Sequence, residues 1–397
     1  MDTVLTTLRM EVEDPELSVL FYEFEEYYEQ KLWHQLTQSL VTFFQSATVP
    51  DAIKLSLYTQ FVTTFIDKIN QLSCVDFLLC SIANSDSYTD SLDFLNDLKK
   101  KFEAIDSKKT NLNDGFKNHS NGILLISLEI SRIYLKQGKL LEASDALDNF
   151  KETLDNDQQD IISLRVKSSY YSTLMDYYEI KKDFNSYYYN GLLYLSASGL
   201  GSSSAIATDG VSSKFLKDLP YNMSLAALLG DKIYNFGELL QHPIMQLLGP
   251  ENQWLLEYLN ALTMGDFAKF DSISQKYVPT IDLLSTNESF LKQKICLMTL
   301  VEIVFSKNVR TLSFLEIAQA TNLAEDNVEH LVMKSISLGL LKGTIDQVNA
   351  LVIITWVQPR VMNDQQILKM QNRLVQWNEN VSTLGAKIEE QGKVIWV

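Results

Sequence analysis

The stretch ISRIYLKQGKLLEASDAL, residues 130 to 147, constrains the fold more than any other. Two apolar helical runs meet at Gly138, and beyond it Leu140, Ala143 and Leu147 recur at spacings of three and four, which puts them on one helical face. This pattern predicts a helical hairpin. Weaker copies align a leading apolar residue at Trp33, Tyr88, Phe184, Phe236 and Phe267. A hairpin cannot cover its own apolar face, so successive hairpins must stack into a solenoid. The intervals between the leading residues vary from roughly 31 to 55, whereas a regular tetratricopeptide array holds near 34. The expected array is therefore degenerate. Only 7 prolines and 15 glycines occur in 397 residues, so long helices are seldom interrupted. Polar interruptions at 106–122 and 196–213 read as exposed loops.

From about residue 311 the periodicity changes. Ser313 and Glu316 form a capping-box pair ahead of a short helix, Gly339 closes a second helix, and two β-rich runs flank Gln347–Asn349. With the apolar helix FLKQKICLMTLVEIVFS in front, these elements predict a winged helix. The chain thus divides into a helical-repeat arm at 1–175, a second domain at 176–360, and a C-terminal helix and tail at 361–397. The second domain is a helical bundle to about 310 followed by the winged helix at 311–360. The fold class is mainly α.

Asn363 and Gln366 are placed to cap the last helix, and Gly392 to end it. Along it Ile367, Met370, Leu374, Trp377, Val381, Leu384 and Ile388 alternate spacings of three and four, a heptad seam for pairing with other helices. Folding back on the winged helix and self-pairing are the alternatives. A second expected contact is the wing strand ALVIITW, whose edge at Leu351, Ile353 and Thr355 is predicted to pair with a neighbouring subunit.

Motifs for chemistry are not found. His34, His119, His242 and His330 stand singly, with no HExxH pair, and no GxxxxGK[ST], GxGxxG or GxSxG stretch is present. No metal or cofactor is called for, and no catalytic residue. His242, beside Pro243, is expected to satisfy a carbonyl at a helix end, and the tyrosines at 170–194 to pack hairpins together, with Tyr171, Leu174 and Tyr178 on one face. Cys74, Cys80 and Cys296 lie in apolar runs and are expected as small buried hydrophobes. The net charge of −16 opposes binding to nucleic acid or anionic lipid. Glu325, Asp326 and Glu329 would meet the phosphates if the second winged-helix segment entered a DNA groove. No run of about 18 apolar residues suggests a membrane span, and the N-terminus is acidic, so cytoplasm and nucleus are the expected compartments.

The order of parts resembles the PCI family, the scaffold units of the proteasome lid, the COP9 signalosome and eukaryotic translation initiation factor three. The stretches LLGDKIYNFGELLQHPIM, SFLKQKICLMTLVEIVF, AEDNVEHLVMKSISLGLLKGTIDQV and ITWVQPRV are most similar to the proteasome-lid branch of that family. The resemblance implies a non-catalytic scaffold. Its implied partners are other PCI subunits and the metalloprotease subunits of the lid, joined through winged helices and a shared bundle of C-terminal helices, in a hetero-oligomer. The signalosome and initiation-factor branches, and a winged-helix nucleic-acid adaptor, are the alternatives.

Overall fold

The computed structural model describes residues 5–7, 10, 15–46, 49–83, 87–109, 120–155, 162–199, 213–306, 310–358 and 364–392. Among these the chain falls into two compact units, Met1–Ser212 and Ser213–Val397. The division expected at 175/176 instead cuts the helix Leu164–Lys181, which pairs with the following helix inside the first unit.

In the first unit the helices are α1 (Pro15–Glu29), α2 (Trp33–Gln45), α3 (Asp51–Gln60), α4 (Gln71–Ile82), α5 (Tyr88–Lys109), α6 (Ser120–Lys136), α7 (Leu140–Asp155), α8 (Leu164–Lys181) and α9 (Phe184–Ala197). Trp33, Tyr88, Leu140 and Phe184, the leading residues of the sequence pattern, are the first residues of α2, α5, α7 and α9. The joints repeat one device. At φ +79 Gly138 turns the chain between α6 and α7, and Lys182 does so between α8 and α9 at φ 59. Asp183 then caps α9 by accepting from Ser186 N at 3.3 Å.

The expected loops shrink. α5 runs to Lys109 and α6 starts at Ser120, while α9 ends at Ala197 and the next helix starts at Ser213. The parts between, 110–119 and 200–212, lie outside the described residues, as do His119 and Asn363.

Aromatic rings dominate the core at the start of this unit. Phe21 and Phe24 meet Phe43 edge-on at 5.3 and 5.9 Å, and Phe61 lies 4.9 Å from Phe65. The tyrosine-rich pair α8–α9 packs through Tyr170, Tyr187, Tyr188 and Tyr194, all buried, and Tyr170 stacks on Phe150 at 4.6 Å. Tyr171, Leu174 and Tyr178 are half-buried, so the covered face is rotated from the expected one. Cys74 is buried with its Sγ 3.6 Å from the Tyr58 hydroxyl, whereas Cys80 and Cys296 are half-buried.

One charged cluster joins α6 to α8. Arg132 Nη1 donates to both Glu129 oxygens at 3.0 Å, its Nε donates to Asp176 at 3.3 Å, and its Nη2 donates to Ser172 at 3.1 Å. Burial raises the Asp176 carboxyl, against the pull of Arg132. Arg132→Met leaves Glu129 and Asp176 facing one another without their cation, at an expected cost of about 2–3 kcal/mol at neutral pH. A carboxyl whose folded pKa lies above its unfolded value weakens folding as pH rises through that window. The deficit of the variant therefore shrinks as pH falls toward the ordinary carboxylate range. Denaturant titrations at two pH values check this; a pH-independent deficit would contradict it.

The second unit carries α10 (Ser213–Leu229), α11 (Gly237–Gln241), α12 (Gln253–Met264), α13 (Phe267–Tyr277), α14 (Asp282–Thr286) and α15 (Glu288–Ser306). Phe267 again begins a second helix, after Gly265 at φ +69 and Asp266, whose side chain accepts from Lys269 N. Phe236 does not lead one. Only five residues follow before Pro243 and its extended neighbour His242 end the helix. His242 Nδ1 accepts from Ile244 N at 3.2 Å, so it satisfies an amide and not the expected carbonyl, and burial lowers its pKa.

Lys294, on α15, is fully buried. Its ammonium donates to the carbonyls of Ala227, Leu228 and Gly230 at 2.8, 3.1 and 2.8 Å, satisfying acceptors at the C-terminal end of α10. The rings of Tyr234, Phe236 and Phe290 stand 5.2 to 5.5 Å from the same nitrogen. Burial pulls its pKa down from 10.5 to about 7, partly opposed by Asp231. In the first unit Lys54 repeats the device, donating to Phe44 O and Ser46 O at the end of α2.

The remaining elements are β1 (Thr311–Ser313), α16 (Phe314–Thr321), α17 (Glu325–Ser337), β2 (Leu341–Asp346), β3 (Leu351–Val357) and α18 (Asp364–Gly392).

Candidate interaction surfaces

The helices and the wing turn of the winged helix form as the sequence predicts. Ser313 Oγ accepts from Glu316 N and Glu316 returns the contact to Ser313 N, both at 3.3 Å, which starts α16. Between the wing strands Asp346 Oδ1 accepts from Val348 N and Asn349 N, closing the turn at Gln347–Asn349. Val352 and Ile354 point into the core, and Ile353, Thr355 and Trp356 point outward.

The expected open edge at Leu351, Ile353 and Thr355 is not there. The sheet order is β1-β3-β2, so β3 is the middle strand. Leu351 pairs with Ser313 on one side and Asp346 on the other, and Ile353 pairs with Thr311 and Thr344. Thr355 O accepts from Arg310 Nη1, and Thr355 Oγ1 donates to Lys342 O. Three residues of β1 take the place predicted for a neighbour. A strand that short, overlapping a capping box, shows no period of two in the sequence. The outer strands are β1 and β2. What remains available on β3 is its outward face, where Ile353 and Trp356 are exposed and Lys342 lies 5.0 Å over the Trp356 ring.

Gly343 fixes the wing. The pairing slips between Lys342 and Gly343, and a Cβ on Gly343 would lie 2.3 Å from Ile353 O. Gly343→Ala must push β2 from β3, at about 1–3 kcal/mol. A lowered melting temperature is the expected result, and an unchanged one would contradict it.

The start of α17 is acidic, with Glu325 and Asp326 exposed and Glu329 half-buried and accepting from Gln347 at 3.3 Å. Carboxylates there complement the helix dipole and repel phosphate.

α18 is the larger surface. Ile367, Met370, Leu374, Trp377, Val381, Leu384 and Ile388 are 46% to 65% exposed, and the polar residues from Gln371 to Lys387 are exposed as well. Its own chain therefore does not cover the seam, which overturns the folded-back alternative. The described part of the helix runs to Gly392, and residues 393–397 lie outside the described residues, so the expected stop at Gly392 falls at their edge.

No comparable convergence of groups for chemistry is seen among the described residues. They contain no cluster of three or more His, Cys, Asp and Glu suited to a metal. A groove of about 670 Å³ in the first unit is lined by Trp33, His34, Thr37, Gln38, Thr42 and Lys68 among others. His34 Nε2 there faces Gln38 Nε2 at 3.4 Å, and the Thr37 and Thr42 hydroxyls donate to backbone carbonyls, so no hydroxyl is set against a base.

Stacked helical hairpins, a winged helix with a three-stranded sheet, and an uncovered heptad helix in that chain order define a PCI-domain subunit. The family described as PSD13 N-terminal repeats matches residues 20–259, the PCI domain matches 273–356, and the Rpn9 C-terminal helix matches 360–392. The chain is 53% identical to the 26S proteasome regulatory subunit RPN9 of Saccharomyces cerevisiae over all of its length and 98% of that protein's. It is 38% identical to the probable 26S proteasome regulatory subunit rpn9 of Schizosaccharomyces pombe, covering 94% of this chain and 92% of that one. To the 26S proteasome non-ATPase regulatory subunit 13 homolog B of Arabidopsis thaliana it is 33% identical, over 95% of each chain. The chain belongs to this family of PCI-domain 26S proteasome regulatory subunits.

Proposed function

We propose that the chain is a non-catalytic scaffold subunit of the proteasome lid, required for lid assembly and thereby for ubiquitin-dependent degradation. The observation that carries this is the seven-residue seam of α18, apolar and uncovered by its own chain. The other PCI subunits and the metalloprotease subunits of the lid are its proposed partners, in a hetero-oligomer without nucleic acid or membrane. What supports the exclusion of nucleic acid is the acidic start of α17 and the net charge of −16. The names of the relatives favour the proteasome over the signalosome and the initiation factor. Cytoplasm and nucleus are its proposed compartments, testable by fluorescence of a tagged chain expressed at its native level.

Purification of the tagged chain from its own cells, full length and truncated after Arg360, tests the scaffold role. Lid subunits should accompany the full-length chain and be lost with the truncation. Equal recovery with both would remove α18 from the account, and recovery of no PCI assembly would remove the lid.

A further inference from the structure

The groove in the first unit carries charge of one sign. Along α2 its lining residues fall in two rows of helical spacing: Trp33, Thr37 and Val41 are half-buried, and His34, Gln38 and Thr42 are exposed. The other lining residues, Lys68, Ile69, Asn70 and Ser73, come from the stretch that leads into α4. No Asp or Glu lines the groove, although the chain carries 50 acidic residues against 34 basic ones. Its cation is held in place. The Lys68 ammonium lies 4.6 Å over the Trp33 indole, which itself stacks on Phe65 at 5.8 Å and meets Tyr28 edge-on at 5.9 Å. Lys68 enters none of the ion pairs between described residues. A positioned ammonium with no carboxylate of its own chain beside it attracts one from elsewhere.

Shape and hydrogen bonding narrow the ligand. From Trp33 to Thr42 the groove follows α2 for about 14 Å at about 1.5 Å per residue, the reach of about four residues of extended peptide. A simple anion would leave most of its volume of about 670 Å³ empty, and one cation is too few for a nucleic-acid backbone. The lining offers what a peptide backbone needs. Gln38 Nε2 faces His34 Nε2 at 3.4 Å, which leaves Gln38 Oε1 to accept an N–H. Asn70 Oδ1 accepts from Leu72 N at 3.1 Å, which leaves Asn70 Nδ2 to donate to a carbonyl. Val41, about 12 Å along the helix from Trp33, makes the far end of the α2 wall apolar.

We propose that this groove binds an extended acidic segment of a partner protein, with an Asp or Glu of that segment at Lys68 and an aliphatic residue three or four positions away over Val41. The contact belongs to the first unit and stands independently of the scaffold reading.

Fluorescein-capped hexapeptide libraries, with one position fixed at a time and binding to the full chain read by anisotropy, test this. Asp or Glu should be selected at one position by at least about fivefold over Lys, and Leu, Ile or Val three or four positions away over Gly. The acidic selection should weaken as salt rises from about 50 to 300 mM. Lys68→Glu should reverse it to Lys and Arg, while Lys68→Met, which keeps the stem over the indole, should erase it and leave the aliphatic preference standing. Both variants should melt within about two degrees of the unsubstituted chain, because Lys68 is exposed. Absence of any acidic selection, or acidic selection that survives Lys68→Glu, would overturn the proposal. So would displacement of the selected peptide by an equal concentration of inorganic phosphate, which would leave a simple anion site, or self-association of the chain that Lys68→Glu abolishes, which would give the groove to a second copy.

Discussion

Leu374→Asp together with Trp377→Ala should lower incorporation of the chain into its complex by at least about a hundredfold, while the melting temperature of the free chain stays within about a degree. Both side chains are more than half exposed in the free chain, so neither supports its core. The helix backbone already covers about half of each seam residue, and burying the rest of seven such side chains yields roughly 5–10 kcal/mol before ordering costs. Removing the indole, the largest element of that seam, and placing a carboxylate one turn away takes away most of the gain, and each 1.4 kcal/mol or so is tenfold in affinity. Quantitative recovery of partner subunits on the doubly substituted bait checks the first effect and thermal melting of the purified chain the second. Normal incorporation, or a destabilised free chain, would contradict the expectation.

Lys294→Met should destabilise the second unit by about 3 kcal/mol, because the isosteric stem stays but the carbonyls of Ala227, Leu228 and Gly230 lose their donor in a dry site. Relief of the buried charge offsets part of that loss, which keeps the figure below the sum for three carbonyls. The pH dependence has a definite sign. With the folded amine at about 7 and its ordinary value at 10.5, the unfolded chain binds the extra proton between those limits. The Lys294 contribution to stability therefore rises with pH across that window and is flat below it. The Met variant lacks that slope. Denaturant titrations of both chains at pH 7 and pH 9 read it, and parallel behaviour of the two would show that the carbonyls and rings hold the ammonium charged throughout.

The helical hairpins were legible because their turns and first residues follow local rules. Gly138 and Gly265 announce themselves, and Trp33, Leu140, Phe184 and Phe267 begin helices where the pattern put them. Lys31 and Lys182 fill the same left-handed turn without glycine, which composition alone does not signal. Phe236 imitated a leading residue, but Pro243 ended its helix within five residues. The sheet order escaped the sequence for a related reason: β1 is three residues long, and pairing at that length is decided by tertiary packing. The capping role of Lys294 is hidden inside an apolar run, where a lysine reads as a solvated residue until the carbonyls it caps, more than sixty positions away in sequence, come into view. By contrast the α18 seam was fully written in the chain, since a heptad that nothing intramolecular covers needs no tertiary context to be seen.

Hydrogen exchange across residues 364–392, compared between the free chain and the purified complex, tests the central claim most directly. An uncovered helix of this length is marginal in water, so its amides should exchange quickly in the free chain and become strongly protected in the complex. Protection already present in the free chain, or none gained on assembly, would contradict the account of α18 as the subunit's assembly surface.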